Sequence, residues 1–389
     1  VKCKFKVMSF LLRGFVFTIL LTVTANIVPA HGGMPDVPAV TAKAAILMDA
    51  KTGQVIYDKN GEQRRPPAST TKIMTALLAL EGGDLQQEVT VSPRAALVGE
   101  ASLDLLPEEK LSLEDLIYGA MLKSGNDACV AIAEHIAGTE ANFVLMMNQK
   151  AKLIGAINTN FINTNGLPAK NHYTTTRDLA LITRYALKNS TFKKIVGTRS
   201  KVIGTQNKHY LNNTNRLLWS CSWVDGVKTG TTNEAGNCLV ASATREGRQL
   251  ISVVFHSTDR WQDSIKLLNY GFEGFEYVRL LRKGEFFDTI KVKEGRGQEI
   301  GAVVSSEIGV VSKKNQPDEL EKIVEINHDL KAPVYKGQRV GRITVLAGGK
   351  VVGSVDLISD RDIKAMHPLN IFLKLFNVSC NNTPGLKTQ

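Results

Sequence analysis

Residues 66–80 read Pro66-Pro67-Ala68-Ser69-Thr70-Thr71-Lys72-Ile73-Met74-Thr75-Ala76-Leu77-Leu78-Ala79-Leu80. From Thr70 to Leu80 the apolar residues Ile73, Met74, Leu77, Leu78 and Leu80 recur at helical spacing, and Gly82-Gly83 marks the end. The pattern predicts a mostly buried helix whose first turn holds Ser69 and Lys72. Their i, i+3 spacing stacks the hydroxyl and the amine on one face. A lysine on such a face is costly unless its charge is used or compensated. A serine hydroxyl needs a neighbour to remove its proton, and a lysine does so only when burial or nearby positive charge lowers its pKa. This pair therefore invites a mechanism.

Working outward, Ala44–Tyr57 (AAILMDAKTGQVIY) reads as a β-hairpin around Lys51-Thr52-Gly53. Helical patterns follow through Leu113–Leu122, Asp127–Ala137, Phe143–Leu153 and Asp178–Leu187. Strands resume at Gly236–Ala243 and Leu250–Phe255, where consecutive apolar residues suit a sheet covered on both faces. Strands at both ends with helices between them imply one sheet assembled from distant segments. The fold class is α/β (α+β), with a helical cluster against an antiparallel sheet. After about Tyr277 the runs Phe287–Val292, Ile323–Ile326, Arg342–Leu346 and Val351–Ile358 read as a small all-β domain without a catalytic pattern. Leu369, Phe372, Leu373 and Phe376, widened by Ile371 and Leu375, form an apolar helical face suited to a membrane surface or to docking on the β domain. The expected divisions are 1–30 as a signal peptide, 38–276 as the catalytic domain, 277–362 as the β domain and 363–389 as the amphipathic tail.

The length of 389 residues allows two or three domains and a core large enough for an enzyme. The formal charge of +11 is partly an N-terminal effect, because residues 1–30 contain Lys2, Lys4, Lys6 and Arg13 and no acid. About +7 remains, spread without an Arg-rich arm, which argues against nucleic-acid binding. The N-terminal charge precedes an apolar run from Gly14 to Val28 and the small-residue site Val28-Pro29-Ala30, the grammar of a secretory signal. The body of the protein is thus expected to be exported, with an uncleaved anchor as the alternative. Cys129, Cys221, Cys238 and Cys380 form no C-x-x-C pair, so neither a zinc site nor a dithiol redox site is indicated.

Beyond residues 66–80, two further short motifs complete a set: Ser124-Gly125-Asn126 and Lys228-Thr229-Gly230, followed by Thr231. No G-x-S-x-G elbow, H-E-x-x-H pair, Walker loop or dinucleotide fingerprint is present, and the seven histidines are scattered. No cofactor or metal is expected. Ser190–Lys193 also fits S-x-x-K, but its polar surroundings make it a solvated loop or a helix start. Lys51–Gly53 duplicates the K-T-G but sits at a turn that wants Lys and Gly anyway. Ser379-Cys380-Asn381 also fits S-x-N, and order and context decide against it.

In that order the three motifs resemble the D-alanyl-D-alanine carboxypeptidases, the low-molecular-weight penicillin-binding proteins. PPASTTKIMTALLAL, SGNDACVAIAEHIAG, NGLPAKNHYTTTRDLA and DGVKTGTTNEAGNCLVASATREG all resemble segments of that family, over about residues 38–376. The resemblance implies a β-lactamase-like transpeptidase fold and a role for each residue. Ser69 would attack the carbonyl between two terminal D-alanines of a peptidoglycan stem peptide, and Lys72 would be the general base. Ser124 would pass protons and Asn126 would hold the substrate amide. Lys228 and Thr229, with Gly230 and Thr231 beside them, would bind the substrate, and Lys228 would lower the pKa of Lys72. The backbone N–H groups of Ser69 and Thr231 would form the oxyanion hole. β-Lactams would acylate the same serine, and the protein would act on the outer face of the cytoplasmic membrane.

One position departs from the family, which often has Arg immediately before the Leu-Ile of the strand after the K-T-G strand. Here that place is Gln249, with Arg248 one residue earlier, so the help either gives to the substrate carboxylate stays open. Competing readings are a DD-transpeptidase, a β-lactamase and an inactive peptidoglycan-binding scaffold. The lack of an E-x-x-x-N loop between Ser124 and Lys228 disfavours the β-lactamase.

Overall fold

A computed structural model describes residues 35–295, 299–315 and 319–366. The expected signal peptide and nearly all of the amphipathic tail lie outside the described residues. No helix among the described residues is long and apolar enough to cross a membrane.

Five strands form an antiparallel sheet in the order Val55–Lys59, Ala44–Asp49, Arg248–Ser257, Gly236–Arg245, Val224–Thr232. The N-terminal hairpin thus pairs with a strand some 200 residues downstream, Ala45 opposite Val254 and Leu47 opposite Ser252. Alternation along each strand sends side chains to two separate cores. Ile46, Met48, Val240, Ile251 and Val253 join the core shared with the helical cluster, which includes Ile73, Leu77, Leu116 and Ile132. Ala45, Leu47, Leu239 and Val254 pack with Leu267 and Leu268 of the helix Arg260–Gly274 on the other face. Both faces are covered, as the apolar runs imply.

The helices begin and end where local chemistry directs. Thr139 and Thr175 cap Glu140–Ile154 and Thr176–Ala186 by accepting from Asn142 N and Asp178 N. Asn189 does the same for Ser190–Gly197, so the second S-x-x-K is a helix start. Two expected helices differ in detail. Ala68–Thr71 is a 3₁₀ turn, and the α-helix proper begins at Lys72 and runs to Gly82. The segment expected as Leu113–Leu122 is α-helical only to Tyr118 and continues as a wider turn, Gly119–Lys123, ending on Ser124 at φ 70°. Such wide turns cluster at functional sites because the extra residue redirects the chain.

Beyond the helix Arg260–Gly274 the described chain is all β. Phe275–Leu281 pairs with Ile308–Lys313, and six further strands form a second sheet. Its apolar faces enclose a separate core with Ile290, Ile300, Ile343 and Leu357. Sequence reading missed Glu299–Val304 and Ile308–Lys313, which are short and interrupted by glycine. Ile363 pairs with Val334 and is buried in this core, so the first residue assigned to the tail belongs structurally to the β region.

Candidate active site

Ser69 sits in a turn held by its neighbours' hydroxyls. Thr70 Oγ1 donates to Pro67 O at 2.6 Å, and Thr71 Oγ1 donates to Ala68 O at 2.9 Å. Ala68 occupies the left-handed region at φ 48°, unusual for a residue with a Cβ and stable only where surroundings impose it. The chain packs closely here from both sides. A Cβ on Gly166 would lie 1.9 Å from Ala68 O, and one on Gly230 would lie 3.0 Å from Ser69 N. Glycine at both positions lets two backbones close on the Ala68–Ser69 peptide.

Lys72 is wholly buried one turn on. Its Nζ donates to Ser69 Oγ at 2.9 Å, Asn126 Oδ1 at 2.8 Å and Asn165 O at 2.7 Å. Asn126 Nδ2 in turn donates to Gly99 O, which fixes the amide's orientation. The Asn165 carbonyl is fixed from behind: Thr75 Oγ1 donates to Thr164 O, and Thr164 N and Oγ1 donate to Glu140 Oε1. Burial draws the Lys72 ammonium down from 10.5 to about 8, against the opposing pull of Cys129, Asp127 and Glu100.

Lys228 enters from the strand Val224–Thr232, buried, with its Nζ donating to Thr229 O at 3.1 Å. Burial first, and then repulsion by Lys72, lowers it well below the ordinary lysine value. For Lys72 itself burial is the dominant cause. Thr229 Oγ1 lies 2.6 Å from Thr214 Oγ1, and Thr231 is exposed. Ser124 Oγ is buried and has no hydrogen-bond partner among the described residues. In a site, an orphaned hydroxyl marks a place where a ligand or a water completes the network.

The three motifs therefore converge. Hydrogen bonds join Ser69, Lys72 and Asn126, Gly230 abuts the Ser69 turn, and Lys228 lies within electrostatic reach of Lys72. Two of the three duplicates stay elsewhere: Lys51 pairs with Glu307, and Lys193 is exposed on its helix; the third, Ser379-Cys380-Asn381, lies outside the described residues. Among the described residues no cluster of His, Cys, Asp or Glu is arranged to hold a metal ion.

The question of Arg248 and Gln249 resolves against both. Arg248 opposes Arg245 across the sheet, the end remote from Thr231, which opposes Asn237. Its Nε pairs with Asp49 Oδ2 at 3.0 Å and its Nη1 donates to Gly271 O and Phe275 O, while Gln249 donates to Asp225. A guanidinium that does reach the K-T-G strand belongs to Arg260, which sequence reading missed. Its Nη1 donates to Gly230 O and to Thr231 Oγ1, both at 2.9 Å. Together with Thr214, Arg216, Asn237 and Trp261 it lines a cavity of about 540 Å³ beside the K-T-G strand. Nothing local marks it, because its position depends on where the last strand of the sheet ends.

With this geometry in place, comparison with known proteins is decisive. The family profile described as D-alanyl-D-alanine carboxypeptidase matches residues 32–259, and that of the penicillin-binding protein 5 C-terminal domain matches residues 275–365. The chain belongs to the D-alanyl-D-alanine carboxypeptidase family. Among its relatives, the D-alanyl-D-alanine carboxypeptidase DacF of Bacillus subtilis is 36% identical over 83% of this chain and 86% of its own length. DacC of Escherichia coli is 38% identical over 83% of this chain and 84% of its own. The solved structure of penicillin binding protein 5 from Haemophilus influenzae superposes with a TM-score of 0.74 at 34% identity, covering 84% of this chain and 99% of that one. As a D-alanyl-D-alanine carboxypeptidase, the chain is a serine-type hydrolase acting on cell-wall peptide, with the mixed fold and separate β region of the low-molecular-weight penicillin-binding proteins.

Proposed function

We propose that Ser69 is the nucleophile and Lys72 its general base, and that the chain removes the terminal D-alanine of a peptidoglycan stem peptide through an acyl-enzyme. One observation carries this. Asn126 Oδ1 and Asn165 O are able only to accept, so a neutral Lys72 keeps its two N–H bonds on them and turns its lone pair toward Ser69 Oγ, 2.9 Å away. That lone pair takes the hydroxyl proton as Oγ forms its bond to the penultimate carbonyl carbon. The carbonyl π electrons move to oxygen, where the N–H groups of Ser69 and Thr231 receive the charge. Collapse of the tetrahedral centre breaks the C–N bond, and the departing D-alanine amine takes a proton relayed from Lys72 through Ser124. Water, deprotonated by the same base, then hydrolyses the ester.

In this reading the substrate carboxylate meets Thr229, Lys228 and Arg260, and Asn126 holds the substrate amide; the Thr229 hydroxyl and the Arg260 guanidinium beside Thr231 support the first of these. β-Lactams present a similar carboxylate and acyl carbon and would block Ser69 covalently. Peptidoglycan lies outside the cytoplasm, so this reading agrees with an exported protein. The basic-then-apolar N-terminus supports export, and the face built on Leu369, Phe372, Leu373 and Phe376 supports attachment to the outer surface of the membrane. Residues 38–276 form the catalytic domain in this reading, and 277–362, extended by Ile363, a spacer.

Incubation of the purified protein with a diacetylated L-Lys-D-Ala-D-Ala peptide tests the assignment. Free D-alanine is expected, with loss of both release and fluorescent-penicillin labelling in Ser69→Ala; release undiminished by that substitution removes the nucleophile. An added amine acceptor that diverts the acyl group away from water marks a transpeptidase instead. A chain ending at Ala365 is expected to keep the activity.

A further inference from the structure

His172 lies outside the three motifs and 103 residues after Ser69, yet it is buried beside the Ser69 turn, edge-on to Phe161 at 5.9 Å between ring centroids. Its hydrogen bonds have only one consistent direction. Ala68 O is a pure acceptor, so the single proton of Thr71 Oγ1 is committed to it at 2.9 Å. The contact of 3.0 Å between Thr71 Oγ1 and His172 Nε2 is therefore donated by the ring. At the other ring nitrogen the Ile162 N–H points at Nδ1 from 3.0 Å, so Nδ1 accepts. The environment thus selects the neutral ring with its proton on Nε2, and burial keeps it neutral, drawn down from 6.5 to about 4.

The relay ends on a carbonyl with a particular partner. Ala68 O and Ser69 N belong to one peptide unit, and because that unit is planar, fixing the direction of one fixes the other. The unit needs fixing, since Ala68 stands at φ 48° with Gly166 and Gly230 pressed against it.

We propose that His172 is a positioning residue which, through Thr71, orients the Ala68–Ser69 peptide so that the Ser69 N–H points at the reacting carbonyl oxygen. This rests on the reading of Ser69 as nucleophile and adds to it a distant residue acting through the oxyanion hole. The His172 ring makes its hydrogen bonds to Thr71 and Ile162 and none to Ser69. Its removal should leave substrate binding intact and weaken only the stabilisation of charge that develops in the transition state.

The test compares His172→Phe, which keeps the packing but no hydrogen bond, with His172→Gln, which keeps a donor and an acceptor, and with Thr71→Val, which cuts the relay one step later. Hydrolysis of the diacetylated tripeptide gives kcat and KM for each folded variant. Losing a whole oxyanion donor costs about 10²–10³ in kcat, so misdirecting one is expected to lower kcat by about 10-fold or more with KM changed less than about 3-fold. Thr71→Val should match His172→Phe, and His172→Gln should recover most of the loss. A kcat for folded His172→Phe or Thr71→Val within about 2-fold of the parent overturns the proposal, as does a fall in Gln equal to that in Phe. Should His172→Phe fail to fold, Thr71→Val decides alone. Labelling by fluorescent penicillin at one per chain, lost in Ser69→Ala, checks the nucleophile separately, so failure of either idea is recognisable on its own.

Discussion

The lowered basicity of Lys72 makes a quantitative demand on the pH dependence of acylation. A lysine at its ordinary 10.5 is neutral in only about one molecule in 3,000 at pH 7, whereas one lowered to about 8 is neutral in about one in eleven, a gain near 300-fold in competent enzyme. Single-turnover acylation by a fluorescent penicillin isolates this step from hydrolysis of the acyl-enzyme. The second-order rate constant is expected to rise about ninefold from pH 6 to 7 and about fivefold from 7 to 8 and then to flatten, with the rate at pH 7 about one-tenth of the plateau. Glu100 pulls the Lys72 pKa upward, so Glu100→Gln should move the rising limb to lower pH. The same lowering links stability to pH. Between about 8 and 10.5 the unfolded chain holds a proton on Lys72 that the folded chain lacks, so the contribution of this residue to stability grows with pH across that window and is lost as pH falls through 8. A rate that is flat from pH 6 to 9, or one still climbing at pH 10, refutes the reasoning: the first because no base titrates, the second because burial has not lowered it.

Three substitutions probe other parts of the site. Gly230→Ala places a methyl 3.0 Å from Ser69 N and from Ala68 Cβ, so it should slow penicillin acylation by about 10²-fold while costing about 1–3 kcal/mol in denaturant stability. Arg260→Ala removes the cation bonded to Thr231 Oγ1 and should lower kcat/KM for the peptide by more than tenfold, roughly the effect of one charged hydrogen bond, whereas Arg248→Ala should not. Glu140→Gln weakens the support of Thr164, and hence of the Asn165 carbonyl that holds Lys72, so a smaller fall in acylation is expected together with a lower Tm.

Much of this was legible because it is local. Ser69 and Lys72 are three residues apart, and any helical path through residues 69–72 keeps their side chains neighbours; the change from a 3₁₀ turn to an α-helix at Lys72 does not separate them. The apolar runs at 236–243 and 250–255 announced a doubly covered sheet because strands buried on both faces lose their alternation. Less was legible wherever a single register decides. Arg248 and Arg260 are both cations near the ends of the last strand of that sheet, and only the pairing of Thr231 with Asn237 and of Arg245 with Arg248 tells which end faces the site. His172 belongs to a loop whose path carries no periodic signal, and its partners Thr71 and Ile162 reach it from different parts of the chain.

The amino-acid order alone carried the resemblance to the family, in motifs and segments that follow one another in that family's order, and it also carried the Ser69–Lys72 neighbour pair and the division into helices packed on a sheet, which follow from spacings shorter than a helical turn and from hydrophobic period. Tertiary structure alone decided the basicity of Lys72, the guanidinium that reaches Thr231 and the histidine behind the Ser69 turn. Each depends on burial or on contacts across tens to hundreds of residues, and desolvation and hydrogen-bond direction are properties of an assembled interior that no local stretch of chain possesses.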